Sequence, residues 1–332
     1  ARYLESEGAG ERSGLYYTCI NSYLTSEEMA YIVDNSESQV LITSAAKWEV
    51  VEDALPDLDR VSLVLVVGGA DAGIGLADDR VRDFEQAVAG YPSTPIEDES
   101  LGTAMLYSSG TTGRPKGIIR PLPEVPPSEG LPLLSFLSNL WHYREGMVYL
   151  SPAPLYHSAP QAAVSLTLRI GGTAVIMERF DPLEYLRLLE QYEVTHSQLV
   201  PTMFSRMLKL PDEDRLRYDV SSLEVAVHAA APCPMPVKEQ MIEWWGPIIH
   251  EYYGATEGLG FAACNSEEWL AHKGTVGKIV LGDLYIADEE MNELPQGVPG
   301  TIWFKTATEF SYHNDPDKTS EATSDDGTMT TV

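Results

Sequence analysis

Short apolar runs rich in β-branched residues recur along this chain, and segments with helical periodicity lie between them. Residues 39–43, 63–67, 103–107, 147–150, 173–177, 194–199, 223–227 and 248–252 read as strands. Residues 45–54, 159–169, 183–192, 201–210 and 237–245 read as helices. Thr25-Ser26-Glu27-Glu28 is a capping box that opens a further helix to about Asn35. Pro182 falls at a helix start, where its missing N–H is harmless. Strands that are apolar throughout need cover on both faces, so the alternation predicts an α/β fold with a mostly parallel sheet flanked by helices.

The character changes near residue 274. Short strands at 283–288 and 301–304 are separated by Asn292, Pro295, Gly297, Pro299 and Gly300, the composition of a β-rich subdomain forming a small barrel or sheet. The expected division is therefore a core over 1–273 and an incomplete β-rich part over 274–332. Residues 121–132 hold five prolines and no periodicity, and they read as a loop.

The loops richest in small or polar residues, 108–117, 152–158, 229–236 and 254–258, each follow a strand directly. In a parallel sheet the carboxyl ends of the strands share one edge, where ligands bind. These four stretches are expected to converge on one crevice.

The first of them carries the most chemistry. Ser108, Ser109, Gly110, Thr111, Thr112 and Gly113 are followed by Arg114, Pro115, Lys116 and Gly117. Glycines let main-chain N–H groups approach an anion, hydroxyls add neutral donors and a lysine adds charge, a set suited to polyphosphate. A Walker A loop would place Ser or Thr after its lysine, and here Gly117 follows Lys116. The formal net charge of -28 repels nucleic acid and anionic membranes, so neither is expected as a partner. Three widely spaced cysteines, Cys19, Cys233 and Cys264, fit neither a disulfide framework nor a zinc site and point to a reducing, cytoplasmic setting. The sequence shows no membrane-length apolar run and no signal-peptide pattern.

The 108–117 stretch closely resembles the phosphate loop of the adenylate-forming superfamily, which includes acyl-CoA synthetases, luciferases and peptide-synthetase adenylation domains. Three more stretches resemble the same family. Tyr253-Gly254-Ala255-Thr256-Glu257 is similar to its Tyr-Gly-x-Thr-Glu motif. His228-Ala229-Ala230-Ala231-Pro232-Cys233-Pro234 is similar to its adenine-floor stretch, with His228-Ala229 where relatives often carry glycine. Pro154-Leu155-Tyr156-His157 is similar to a stretch whose histidine lies between the acyl pocket and the CoA channel. Cys233 reads as a packed thiol, since no base is placed beside it.

The resemblance implies two α/β sheets, part of a small β-barrel and a separate C-terminal domain. It also implies ATP, Mg²⁺ and CoA as cofactor and co-substrates. Ser108 to Gly113, Lys116, Ala230, Ala231, Pro232, Glu251, Tyr252, Tyr253, Gly254 and Thr256 would bind nucleotide. Thr111 and Glu257 would hold the metal, and Lys116, Thr256, Glu257 and His157 would serve catalysis.

The implied reaction activates a carboxylic acid through an acyl-adenylate and passes it to a thiol. Residues 155–159 and 314–319 are worded as in bacterial fatty-acyl-CoA synthetases, while Ala159, Ala229, Leu259 and Gly260 would give an apolar pocket wall. Aryl, sterol side-chain and amino acids stay open, as does a homodimer. The family's ribose-binding aspartate, hinge and catalytic lysine would follow Val332, so this stretch alone is expected to adenylate slowly. A non-catalytic nucleotide sensor and a purely structural α/β protein are the competing classes.

Overall fold

The computed structural model describes residues 2–74, 78–108, 114–129, 132–305 and 310–331. The chain divides into two compact units, Ala1–Glu129 with Glu309–Thr319 and Gly130–Thr308 with Ser320–Val332.

The first unit opens with α1 (Arg2–Glu11), β1 (Tyr16–Tyr17), α2 (Ser26–Asn35), β2 (Val40–Ser44), α3 (Trp48–Ala54), β3 (Leu63–Val67), β4 (Val81–Asp83) and α4 (Phe84–Val88). The capping box forms as the sequence predicts. The Glu28 N–H donates to Thr25 Oγ1 at 3.3 Å, and Glu28 Oε2 accepts from the Thr25 N–H at 2.9 Å. Strands β2, β3 and β4 make a parallel sheet whose buried Val64 and Val66 pack with Val33, Val51 and Leu58. The chain then adds β5 (Thr103–Ala104), parallel to β1, and an antiparallel hairpin of β6 (Leu106–Ser108) and β7 (Lys116–Ile119).

The second unit begins with α5 (Pro132–Trp141), a helix the sequence reading passes over because it starts on the last proline of the proline-rich loop. It proceeds through β8 (Val148–Ser151), α6 (Ser158–Arg169), β9 (Thr173–Ile176), α7 (Pro182–Gln191), β10 (His196–Leu199), α8 (Pro201–Leu208), α9 (Asp212–Arg215), β11 (Val225–His228) and α10 (Met235–Trp245). Then come β12 (Ile249–Gly254), β13 (Phe261–Cys264), α11 (Ser266–Ala271), β14 (Lys278–Leu281), β15 (Asp283–Ala287) and β16 (Thr301–Lys305). Among the described residues the largest sheet has the strand order β14-β13-β12-β11-β10-β8-β9. Its strands from β9 to β12 are parallel, and β13 runs against both neighbours. Leu150, Leu186, Leu189, Phe204 and Met241 are fully buried in one core on this sheet, each worth roughly 1.5–3 kcal/mol.

The part expected as a small barrel differs in detail. Among the described residues no closed barrel forms: β15 and β16 make a two-stranded hairpin, to which Thr330 adds a bridge at Phe304. Strand β14 instead extends the large sheet, because Gly277, at φ 105°, lets the chain close on the Ala263 backbone. A Cβ there would lie 2.1 Å from the Ala263 carbonyl. The chain finishes with β17 (Ser311–Tyr312), antiparallel to β7, and α12 (Pro316–Glu321), where Asp315 Oδ1 accepts from the Lys318 N–H at 3.0 Å. No helix among the described residues is long and apolar enough to cross a membrane.

Candidate nucleotide site

Strands β8, β10, β11 and β12 run in one direction, so the loops after β8, β11 and β12 leave the same edge of the sheet. From β8 the chain moves outward to β9, and from β10 it moves the other way to β11 and β12. The switch point of this sheet therefore lies between β8 and β10, where a ligand crevice is expected. Three of the four sequence-predicted loops share this edge.

The loop after β11 presents main chain. Val225 to His228 are all buried, whereas Ala230, Ala231 and Pro232 are exposed. Ala230 holds a φ of 72°, an unusual conformation for a residue with a Cβ, which costs on the order of 1 kcal/mol and tends to accumulate at ligand sites. Beside it, burial pushes the Cys233 thiol up to about 11, in keeping with a packed and unreactive group.

The loop after β12 is a tight turn closed by the Gly258 N–H on the Ala255 carbonyl at 3.0 Å, with Gly258 at φ 75°. It holds Thr256 half-buried and Glu257 only 6% exposed. The stretch leading into it splits its side chains between two tasks. Tyr252 stacks on Phe261 at 4.6 Å and accepts from Gln198 Nε2 at 2.8 Å, so its ring belongs to the sheet. Tyr253 falls on the opposite face by strand alternation and is half-buried. The Glu251 carboxylate turns inward to Lys238 Nζ at 2.5 Å.

The loop after β8 ends in His157, exposed at the N-cap of α6, with its ring 4.2 Å from that of Tyr156. Partial desolvation draws the His157 pKa below its ordinary value. The expected apolar wall is altered. Ala229 and Leu259 are packed into the interior, and the space beside Gly260 is filled by the Phe304 ring, 2.2 Å from where a Cβ would stand.

The fourth stretch lies in the first unit, and its setting differs from the one expected. Ser108 pairs with Lys116 in the antiparallel β6–β7 ladder, so the strand that precedes this stretch belongs to an antiparallel pair and not to a parallel sheet. Ser109, Gly110, Thr111, Thr112 and Gly113 lie outside the described residues. The stems are well tied: Lys116 Nζ sits over the Tyr312 ring at 5.4 Å, Arg114 over Tyr31 at 5.0 Å, and the Tyr31 hydroxyl donates to the Pro115 carbonyl at 3.2 Å. Gly117 leaves room for the Tyr107 ring, which a Cβ would meet at 2.9 Å.

A profile of the family described as AMP-binding enzyme matches residues 1–311. The chain belongs to that family. Among curated relatives, the medium/long-chain-fatty-acid–CoA ligase FadD8 of Mycobacterium tuberculosis is 27% identical over 332 residues, which cover 96% of this chain and 56% of the relative. The 4-coumarate–CoA ligase 5 of Oryza sativa subsp. japonica is 29% identical over 337 residues, covering 97% and 60%. This chain thus spans less than two thirds of the length of these relatives. The fold matches the amide bond synthetase McbA of Marinactinospora thermotolerans with a TM-score of 0.76 at 23% identity, covering 99% of this chain and 63% of that one. It also matches ATP-bound MatB of Rhodopseudomonas palustris with a TM-score of 0.73 at 23% identity, covering 97% and 61%.

For an AMP-binding enzyme the donor set limits how a metal could be held. No group of three or more His, Cys, Asp or Glu side chains poised for a cation occurs among the described residues. Magnesium commonly takes one or two carboxylates and completes its shell with phosphate and water. Glu257, a carboxylate at the ligand edge, fits a metal that arrives with its nucleotide.

Two histidines of this sheet are buried as neutral rings, His196 at the start of β10 and His228 at the end of β11. His196 bonds the Trp141 carbonyl through Nε2 at 2.9 Å and Thr195 Oγ1 through Nδ1 at 2.8 Å, and burial brings it down to about 4. His228 is fully buried, and desolvation with the Lys238 charge brings it down to about 3. An unfolded chain takes up these protons near pH 6.5, so the folded state loses stability as pH falls below that value. Between about pH 7 and 5.5 each ring is expected to cost about 1 kcal/mol. Urea unfolding at the two pH values measures the loss, and an unchanged midpoint would contradict this placement.

Proposed function

We propose that this chain supplies the nucleotide- and acid-binding part of an ATP-dependent acid–thiol ligase. The observation that carries the reading is the pair of loops 229–234 and 255–258 leaving adjacent parallel strands at one sheet edge, one offering exposed main chain and the other Thr256 and Glu257. In this reading Ala230, Ala231 and Pro232 lie against the adenine and Tyr253 and Gly254 flank it. The Thr256 hydroxyl donates to the α-phosphate. In the first unit, Lys116 and the hydroxyls of residues 108–112 carry the chemistry of a phosphate-binding stretch. Glu257 would hold Mg²⁺, which supplies charge neutralisation to the phosphates.

An acid's carboxylate oxygen then attacks the α-phosphorus, and the bond to the bridging oxygen breaks to release pyrophosphate. A thiolate next adds to the acyl carbon, and AMP leaves with the bonding electrons to give a thioester. The first step brings two anions together, so fixed donors matter more than proton transfer. His157, exposed after β8, is proposed to line the path where acyl group and thiol meet, and partial desolvation, which lowers its pKa, favours the neutral ring. The acid is apolar, with a fatty acid as the first choice. Support comes from the 314–319 run and from FadD8, while the 4-coumarate ligases keep aryl acids in play.

Thermal unfolding with AMP, with ATP, and with dodecanoyl and 4-coumaroyl sulfamoyl-adenosine tests this. A ligand at about one hundred times its Kd adds about 2.7 kcal/mol, a rise of about 4 °C for a chain of this size. The dodecanoyl compound is expected to give the largest rise. No rise with any adenine compound would sink the assignment, and a larger rise with the coumaroyl compound would move the substrate to aryl acids.

A further inference from the structure

Beneath the two loops lies a charged cluster that the reaction scheme does not use, and any role for it rests on the nucleotide reading above. Lys238 on α10 is fully buried, and its Nζ donates to Glu251 Oε2 on β12 at 2.5 Å. The same oxygen is 3.6 Å from Nε2 of His228, which faces Glu251 across the β11–β12 ladder. The surroundings are apolar: Phe204 stands edge-on to the imidazole at 5.4 Å, Lys238 Nζ lies 4.9 Å over Trp269, and Cys264 pairs with Glu251 in register.

An ion pair in such surroundings is not a stabilising choice, since desolvation offsets the attraction and apolar residues of similar volume would serve as well. What it adds is uniqueness, because the short directional bond exists in one register of α10 on β12. The elements it joins are the ones that deliver the loops. His228 leads directly into Ala229 and Ala230, α10 begins just beyond Pro234, and Glu251 stands two residues before Tyr253.

We propose that the Lys238–Glu251–His228 cluster is a positioning device that sets the spacing between the 229–232 loop and the 253–257 loop, so that adenine and α-phosphate are met together. Its members act through the loops, since the Glu251 carboxylate is taken by Lys238.

The test is Lys238→Met with Glu251→Gln in this chain, which removes both charges and keeps the shape at residue 251. Dissociation constants for AMP and inosine monophosphate are measured at a temperature where parent and variant are both folded by circular dichroism. The parent is expected to prefer AMP. The variant is expected to bind AMP about tenfold more weakly or worse, as misplaced binding groups do, and to lose most of its preference over inosine monophosphate. A folded variant with parental AMP affinity and preference overturns the proposal. A parent that binds no adenine nucleotide overturns the nucleotide reading itself. Should this double variant fail to fold, Lys238→Met with Glu251→Leu, which replaces the pair by apolar side chains, carries the same comparison with the same deciding outcomes.

Discussion

Lys238→Met alone is expected to lower the free energy of unfolding by about 3–5 kcal/mol, the usual penalty for leaving one half of a buried ion pair. The size follows from the burial of both partners. Lys238 has no exposed surface and Glu251 only 6%, so water cannot reach the orphaned carboxylate without opening the core around Trp269 and Cys264. Pairing the change with Glu251→Leu removes both charges, and stability should return to within about 1–2 kcal/mol of the parent. A double-mutant cycle by urea unfolding reads the coupling directly. Simple additivity of the two single losses would mean that the carboxylate and the ammonium do not hold each other.

Glu257→Gln is the change expected to hurt chemistry most. The side chain is almost fully buried in the turn closed by Gly258, so an amide of the same shape keeps the packing and removes only the negative charge. If Glu257 holds the metal at the phosphates, acid-dependent pyrophosphate release should fall on the order of 10²–10³-fold, the scale set by losing one preorganised charge-stabilising contact. Single-turnover measurement with labelled ATP can read rates this low. A variant that keeps its midpoint in urea and releases pyrophosphate at the parental rate would remove Glu257 from the site.

The parts of this molecule that are legible in the sequence are those where local chemistry and tertiary structure agree. Strands covered on both faces, such as Leu63–Val67 and Val225–His228, stand out because continuous apolar sequence has few other uses. The Thr25 capping box is likewise a local device, visible in four letters. Helix α5 is hidden because Pro132 closes a proline-rich loop and opens the helix at once, and a proline is acceptable in both settings.

The antiparallel β6–β7 hairpin is hidden for another reason. Its return strand, Lys116–Ile119, is short and begins with a lysine and a glycine that look like loop. Within the site, the loops announce themselves by composition, whereas the cluster below them does not. Lys238 shares the α10 face of Met241, Ile242 and Trp245, all buried, so a lysine in an apolar stripe is the available signal. Its partner lies 13 residues away on a strand, and no spacing rule connects a helix position to a strand position.

Strands β11 and β12 each have a ladder partner on both flanks, β10 with β12 for the first and β11 with β13 for the second. Main-chain groups so placed open only when neighbouring strands part as well, which puts these strands among the slow-breathing portions of the unit. The two lips proposed to grip a nucleotide are therefore hinged on ground that does not fray. Any give needed to admit or release a ligand falls to the turns themselves, at Ala230 and at Gly258, where the chain already adopts its left-handed bends.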